Sequence, residues 1–203
     1  MNLLEVISSS GIETARAGKK TDIVKAGDEL KWVIFIIEGE LKVWNDDIVY
    51  RFAGKGEFIG LDHIYKESRL SDYSVTALIQ SDLKLIPFDN LYKPQNIGLK
   101  DAINEAVLVN ITNQIECMRN YTRNRTLQAR DRIILFIKEI AEKNGRLCGM
   151  ETEVKHNYTQ KDMAKYTQTS RQTITSVLNE LQGDNLIKFD RKRILIRDIN
   201  NLK

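Results

Sequence analysis

The hydrophobic positions between residues 158 and 182 repeat with the spacing of two short helices joined by a tight turn. In the second helix the apolar side chains are spaced i, i+3, i+4 and i+7, as in a helix that is buried on one side. These residues are Ile174, Val177, Leu178 and Leu181. The opposite face carries only side chains that can form hydrogen bonds, and none is acidic: Arg171, Gln172, Thr175, Ser176 and Asn179. A helix with these two faces is typical of one that enters the major groove of DNA.

Capping residues mark the ends of the two helices. Thr159 is a suitable N-cap for the first helix, and Asp162 three positions later would complete a capping box. The first helix is predicted to end near Tyr166. The second helix begins at Thr169 or at Ser170, and the sequence leaves this choice open.

Residues 186–198 form two short alternating runs around a basic turn. Ile187 and Phe189 alternate with polar residues before the turn, and Ile194 and Ile196 alternate after it, which predicts a β-hairpin. The turn, residues 190–193, is cationic and suits contact with DNA phosphates. Two helices at this spacing also occur in bundles that bind no nucleic acid, but a hairpin directly after them favours a DNA-binding domain.

Short apolar runs alternate with glycine turns between residues 22 and 87. The runs are rich in Val, Ile and aromatic residues, and they are separated by Gly27, Gly39, Gly54, Gly56 and Gly60. Many short strands with regular turn signals indicate an antiparallel β-barrel or β-roll. The first 20 residues are predicted to be a short helical lead-in. The predicted fold class is therefore α+β.

Residues 98–125 are predicted to form one long helix with a single apolar seam. The seam residues step by three or four positions: Ile103, Val107, Ile111, Ile115, Met118 and Tyr121. The seam is long enough for a two-stranded coiled coil between two copies of the chain. The alternative is that this helix packs only on the β-roll of its own chain. Residues 126–144 predict another amphipathic helix, and residues 145–157 a loop or a small hairpin.

The distribution of charge divides the chain of 203 residues into two parts. Residues 119–203 carry a net charge of +8 and the first 118 residues carry −5. A basic C-terminal part behind an acidic N-terminal part fits a polyanion-binding domain joined to a sensor. The two cysteines, Cys117 and Cys148, argue against a disulfide scaffold. We find neither a membrane-spanning apolar run nor a secretory signal, and we therefore expect a cytoplasmic protein with no membrane partner.

Sequence motifs of a catalyst are missing. The sequence contains no Walker-type phosphate loop, no GxSxG, no HExxH and no CxxC, so we expect no enzyme. Two distant cysteines cannot supply the four ligands of an iron–sulfur cluster. His63, expected at a loop surface, and His156 lie in different predicted domains, so we expect no metal site and no cofactor. A nucleotide-binding interaction module without a DNA function is the remaining alternative, which the helix pair and its hairpin disfavour.

The segment SRQTITSVLNEL, followed by a basic hairpin, resembles the winged helix-turn-helix of the Crp/Fnr family of bacterial transcription regulators. The runs KAGDEL, FIIEGELKV and GKGEFIG are similar to successive pieces of that family's cyclic-nucleotide-binding β-roll. The resemblance implies a sensor β-roll domain over residues 1–97, a dimerisation helix over 98–125 and a winged helix-turn-helix domain over 126–203. It also implies a homodimer on a near-palindromic operator in double-stranded DNA, with RNA polymerase as a further partner if the protein is an activator.

The resemblance places the DNA contacts on the helix pair and on the turn of the hairpin. The expected contact residues are Thr159, Gln160, Ser170, Arg171, Gln172, Thr175, Ser176, Asn179, Lys192 and Arg193. Many members have S-R-E-T-[VI]-x-R here, whereas this chain has Gln172 for the glutamate and Ser176 for the second arginine. Arg171 is expected to read a guanine or to clamp a phosphate, and Gln172 to favour adenine. If Thr169 is the N-cap, Gln172 lies at N3 and caps the helix instead.

The expected effector pocket lacks the residues that hold cyclic AMP in the nucleotide-binding members. Those members carry a glutamate for the ribose and an Arg-Ser pair for the phosphate, where this chain has Leu61 and the pair Ser71 and Asp72. Gly60 and Arg69 complete the candidate pocket. A carboxylate beside a phosphate is unfavourable by ~1 kcal/mol or more, so we expect an unknown small-molecule effector or none. The alternative is a cyclic-nucleotide-responsive regulator whose shifted loop uses Arg69.

Overall fold

The computed structural model describes residues 7, 12, 14–92, 97–124 and 126–202. The chain divides into two compact units. One comprises Met1–Asp46 and Tyr50–Asn120, and the other comprises Asp47–Val49 and Tyr121–Lys203. Within the described residues, no helix combines the length and the apolar character needed to cross a membrane.

The first unit contains two four-stranded sheets with the strand orders β1-β8-β3-β6 and β2-β7-β4-β5. The strands are β1 (Thr14–Ala17), β2 (Asp22–Val24), β3 (Trp32–Glu38), β4 (Glu40–Asn45), β5 (Ile48–Gly54), β6 (Phe58–Ile59), β7 (Ser74–Ala77) and β8 (Ser81–Pro87). The strands pair antiparallel, which confirms the predicted β-roll. The expectation of a helical lead-in through residue 20 is wrong for β1, because this strand completes the edge of a sheet on β8.

Apolar side chains of both sheets form one core. Strand β3 is the centre of this core, and residues 33–36 on it are almost completely buried. The ring of Phe35 packs on Phe58 with 4.8 Å between the ring centroids. After β3 the chain turns at Gly39, which has a φ of +119°. A Cβ atom at Gly39 would lie 2.1 Å from Oγ of Ser81, so only glycine permits this close approach.

Helix α1 (Ile97–Asn124) carries the apolar seam expected for dimerisation. Ile103 and Val107 are only 1% and 6% exposed, because they belong to the core of the β-roll. The expectation that these two side chains face a second copy of the chain is therefore wrong. Ile111 and Ile115 are 47% and 45% exposed within the single chain. The side chains of Met118 and Tyr121 lie outside the described residues.

The second unit joins three helices to a four-stranded sheet with the order β11-β12-β10-β9. Its elements are α2 (Ala129–Asn144), β9 (Gly145–Cys148), β10 (Glu151–Lys155), α3 (Gln160–Thr167), α4 (Arg171–Gly183), β11 (Ile187–Phe189) and β12 (Arg193–Ile196). Strands β11 and β12 form the hairpin predicted over residues 186–198. Residues 145–157 contain the second hairpin, and β10 pairs with β12, so both hairpins belong to one sheet.

Candidate nucleic-acid interface

Helix α3 begins with the capping box that the sequence predicts. Oγ1 of Thr159 accepts a hydrogen bond from the backbone N–H of Asp162 at 3.1 Å, and Oδ2 of Asp162 accepts one from the backbone N–H of Thr159 at 3.0 Å. Met163 and Ala164 are buried. Both polar side chains of the box are thus engaged in starting the helix.

The turn between α3 and α4 decides which residue caps the second helix. Ser170 is the N-cap, and its Oγ accepts a hydrogen bond from the backbone N–H of Thr173 at 3.0 Å. Thr173 therefore occupies position N3, and Gln172 lies one residue earlier. The alternative in which Thr169 is the N-cap and Gln172 caps the helix is wrong. Gln172 is exposed at the start of α4.

Helix α4 has one buried and one exposed face, as its sequence predicts. The buried stripe consists of Ile174, Val177, Leu178 and Leu181, each at most 6% exposed. The exposed side chains are Arg171, Gln172, Ser176 and Asn179. Thr175 is half-buried, and its hydroxyl donates to Oε1 of Gln160 at 3.1 Å. This contact links α4 to the first residue of α3, although the carbonyl of Arg171, 3.0 Å away, is a second acceptor for the same hydroxyl.

Arg132 of α2 holds the turn of the helix pair, a role that no sequence pattern predicts. Its Nε donates to the carbonyl of Thr167 at 2.8 Å, and its Nη2 donates to the carbonyl of Gln168 at 3.1 Å. Its Nη1 donates to the carbonyl of Leu127 at 2.7 Å. One guanidinium group thus satisfies carbonyls at the C-terminus of α3 and in the segment before α2. A lone arginine on an amphipathic helix carries no sequence signal for this role.

The turn of the β11–β12 hairpin, which we call the wing, is closed by Asp190. Its Oδ1 accepts from the backbone N–H of Lys192 at 2.8 Å, and this hydrogen bond is the main reason why the pKa of Asp190 is lowered. Arg193 Nε lies 3.4 Å from Asp190 Oδ2, and its Nη1 lies 3.5 Å from Oε1 of Glu153. Lys192 and Arg193 are both exposed. The wing therefore presents positive charge on a rigid turn.

The residues of the candidate effector pocket in the first unit make contacts within the chain. Leu61 is buried beside Gly60, which has a φ of +91°. Ser71 is buried, and its Oγ donates to the carbonyl of Tyr73 at 2.6 Å. The guanidinium carbon of Arg69 lies 4.7 Å from the centroid of the Phe88 ring, and its Nη1 lies 3.7 Å from Asp89.

His63 differs from the expected loop-surface histidine, because it is completely buried. Its Nδ1 lies 3.0 Å from a carboxylate oxygen of Asp62, and its Nε2 lies 3.3 Å from one of Asp72. The carboxylate of Asp72 is thus turned toward His63 and Lys66, and its side chain remains 70% exposed. Among the described residues, no group of three or more His, Cys, Asp or Glu side chains could hold a metal ion.

Comparison with known proteins identifies the family of the second unit. Residues 131–203 match the model of the Crp-like helix-turn-helix domain. The chain is 26% identical over 190 residues to electron transport regulator A of Shewanella oneidensis, covering 91% of this chain and 74% of that protein. It is 24% identical over 189 residues to CRP-like protein Clp of Xanthomonas euvesicatoria, covering 87% of this chain and 80% of Clp.

Solved structures show the same fold over almost the whole chain. CLP of Xanthomonas campestris, described as a c-di-GMP-responsive global regulator, matches with a TM-score of 0.80 at 20% identity and covers 97% of this chain and 98% of its own. A CooA mutant from Carboxydothermus hydrogenoformans matches with a TM-score of 0.79 at 17% identity, covering 100% of this chain and 94% of CooA. The chain therefore carries a match to the Crp-like helix-turn-helix domain at residues 131–203, and its fold is similar to that of CLP and CooA.

Proposed function

We propose that the chain acts as a homodimer that binds a near-palindromic operator in bacterial DNA, in the cytoplasm. Helix α4 enters the major groove, and the wing lies on the adjacent phosphates. The observation that carries this proposal is the exposed row on α4, which contains Arg171 and Gln172 and no acidic residue at its N-terminal end. The half-sites lie about one helical turn apart, ~34 Å. RNA polymerase is a further partner if the protein activates transcription.

Base reading is assigned to the first turn of α4. Arg171 and Gln172 are exposed there, whereas the hydroxyl of Ser170 is engaged in the cap. Arginine pairs best with guanine and glutamine with adenine. Because Ser176 and Gln172 replace an arginine and a glutamate of the family's commonest form, the half-site differs from the usual TGTGA or TTGAT type. The capping box, together with the bond between Thr175 and Gln160, holds this turn in place.

Dimerisation is assigned to the exposed seam residues of α1 and to Leu108 beside them. Leu108, Ile111 and Ile115 are 69%, 47% and 45% exposed and are spaced by three and four positions. This is the spacing of a coiled-coil seam. Ile103 and Val107 support the same helix from the side of the β-roll core.

The effector is proposed to be a molecule other than cyclic AMP, or none. Leu61 is buried and offers no hydrogen bond to a ribose, and Arg69 is engaged by Phe88 and Asp89. A shifted loop that used Arg69 for a cyclic phosphate would first have to break both contacts. Because CLP of Xanthomonas campestris is described as responsive to c-di-GMP, a cyclic dinucleotide is a second ligand to test.

Selection of bound sequences from a random DNA library tests the proposal. The native chain should enrich one near-palindromic consensus. Gln172→Glu should shift the binding free energy at one position in each half-site by ~1–3 kcal/mol in favour of a different base, because glutamate accepts a hydrogen bond from cytosine. Gln128→Glu adds the same charge at an exposed position ahead of α2 and should return the native consensus. An identical consensus for Gln172→Glu would contradict base reading by Gln172, and no enrichment by the native chain would contradict the function.

A further inference from the structure

The side chain of His156 is buried beneath the wing. It is 4% exposed, and its ring stacks on the ring of Tyr158 with 5.6 Å between centroids. Its backbone N–H donates to the carbonyl of Lys192 at 2.8 Å, so the histidine is joined directly to the wing turn. Neither ring nitrogen makes a hydrogen bond with any part of the chain that the structure describes. DNA binding as proposed above gives this ring no role.

An imidazole buried in this way is in an unfavourable state. A neutral ring carries one N–H donor and one acceptor nitrogen, and both are unsatisfied here. Burial lowers the pKa of His156. The backbone of Tyr158, which lies near the ring but not in hydrogen-bonding geometry, and the charge of Asp190 both oppose this shift. The ring is therefore held in its neutral form in the free protein.

An open groove of about 730 Å³ adjoins this ring. It is lined by His156 and by Lys155, Asn157, Asp190, Arg191, Lys192 and Arg193. Four cations on β10 and the wing thus line the groove. Two carboxylates offset part of this positive charge. One is Asp190, which closes the wing, and the other is Glu153, which lies 3.8 Å from Lys155 Nζ and 3.5 Å from Arg193 Nη1. The excess of positive charge in the groove attracts an anion.

We propose that the groove beneath the wing is a proton-linked phosphate site in which His156 binds a proton when the wing meets the DNA backbone. A phosphate in the groove brings negative charge close to the buried ring, and this charge favours the imidazolium. One proton is taken from solvent per wing, and no covalent bond changes. This inference rests on the proposed DNA-binding function. It makes the protein bind DNA more tightly in acid, beyond the electrostatic attraction that Lys192 and Arg193 provide.

Proton uptake can be measured directly by calorimetry. Native protein is titrated with a random-sequence duplex in buffers of different ionisation enthalpy at about pH 6.5, the ordinary pKa of histidine. The expected result is uptake of up to one proton per wing, with an affinity that rises by as much as about tenfold per wing for each pH unit of acidification. His156→Phe keeps the stacking on Tyr158 but cannot bind a proton. It should bind the duplex without this uptake.

The second histidine supplies the matched control. The chain has only two, and His63→Gln removes the one in the first unit, so its proton uptake should equal that of the native protein. If the His156→Phe chain fails to fold, the histidine resonances of the native protein, with and without duplex, decide the matter. A His156 resonance that stays neutral at about pH 6 on DNA would overturn the inference, as would full uptake by His156→Phe. Absence of any duplex binding would overturn the proposed function as well, so the two failures are distinguishable.

Discussion

Replacing Ile111 and Ile115 together by glutamate should separate the proposed dimer without disturbing the core of the β-roll. Both side chains are about half exposed within the single chain, at 47% and 45%. Glutamate at these positions therefore displaces little of the β-roll packing. In a dimer the same residues would place like charges opposite each other in an apolar seam, which is strongly unfavourable.

The exposed areas set the size of the effect. Complete burial of a Leu or Ile side chain stabilises by about 1.5–3 kcal/mol. Because Leu108, Ile111 and Ile115 keep between 45% and 69% of their surface exposed, covering that exposed surface contributes about 1 kcal/mol each. Over both copies this is roughly 6 kcal/mol, or about four powers of ten in the dissociation constant. The double variant loses the contribution of two of these three residues in each copy and adds charge repulsion, so no dimer should remain at micromolar concentration.

Sedimentation velocity measures the outcome, with two control variants. Leu70→Glu adds a charge at an apolar residue of the first unit that is 59% exposed, and it should remain a dimer. Ile103→Ala should lower the free energy of unfolding by about 2–5 kcal/mol, because the side chain is buried, and it should also remain a dimer. If the doubly charged variant sediments as a dimer, or if Ile103→Ala is the change that produces monomers, the assignment of the seam is incorrect.

Three further predictions concern the wing, the effector and the turn. Replacing Lys192 and Arg193 by alanine should weaken binding to all DNA sequences and lower the salt slope of the affinity by about 2, and an unchanged slope would refute their contact with phosphates. Calorimetry with millimolar cyclic AMP should show no saturable heat. A micromolar dissociation constant together with cyclic-AMP-dependent DNA binding would refute the proposal that cyclic AMP is not the effector. Gln168→Gly should raise the free energy of unfolding in urea by about 1 kcal/mol, because Gln168 has a φ of +52° and a side chain in this region costs about 1–2 kcal/mol. The Arg132 side chain can still donate to the backbone carbonyl of residue 168 in that variant. A loss of stability would therefore show that the glutamine side chain itself is needed.

The elements of the second unit that could be predicted are those that depend only on residues close together in the sequence. The stripe from Ile174 to Leu181 follows from helical periodicity, and the structure buries every member of it. The capping box of Thr159 and Asp162 needs only two residues three positions apart. The wing hairpin follows from alternation around a short turn. Each of these signals lies within one helix or one hairpin.

The apolar periodicity of α1 was predictable, but the partner of each seam residue was not. Ile103, Val107, Ile111 and Ile115 share one helical spacing, yet the first two pack in the β-roll and the last two do not. The apolar periodicity defines one face of α1. How many turns of that face the β-roll covers depends on where the β-roll ends. The sequence contains no local signal for that boundary. The burial of His63 between Asp62 and Asp72 depends on the folded loop in the same way.

A shift of one residue at the start of α4 changes what the sequence implies about DNA. With Thr169 as the N-cap, the side chain of Gln172 would accept a hydrogen bond from the backbone N–H of Thr169 and would be withdrawn from the bases. With Ser170 as the N-cap, the hydroxyl of that serine accepts a hydrogen bond from the backbone N–H of Thr173 at position N3, and Gln172 is exposed beside Arg171. The sequence could not separate these cases, because threonine and serine are both good N-caps. The choice depends on Gln168, whose left-handed backbone ends α3, and on Thr169, whose backbone N–H donates to the carbonyl of Ala164. Base reading by Gln172 is thus a consequence of how the preceding helix terminates.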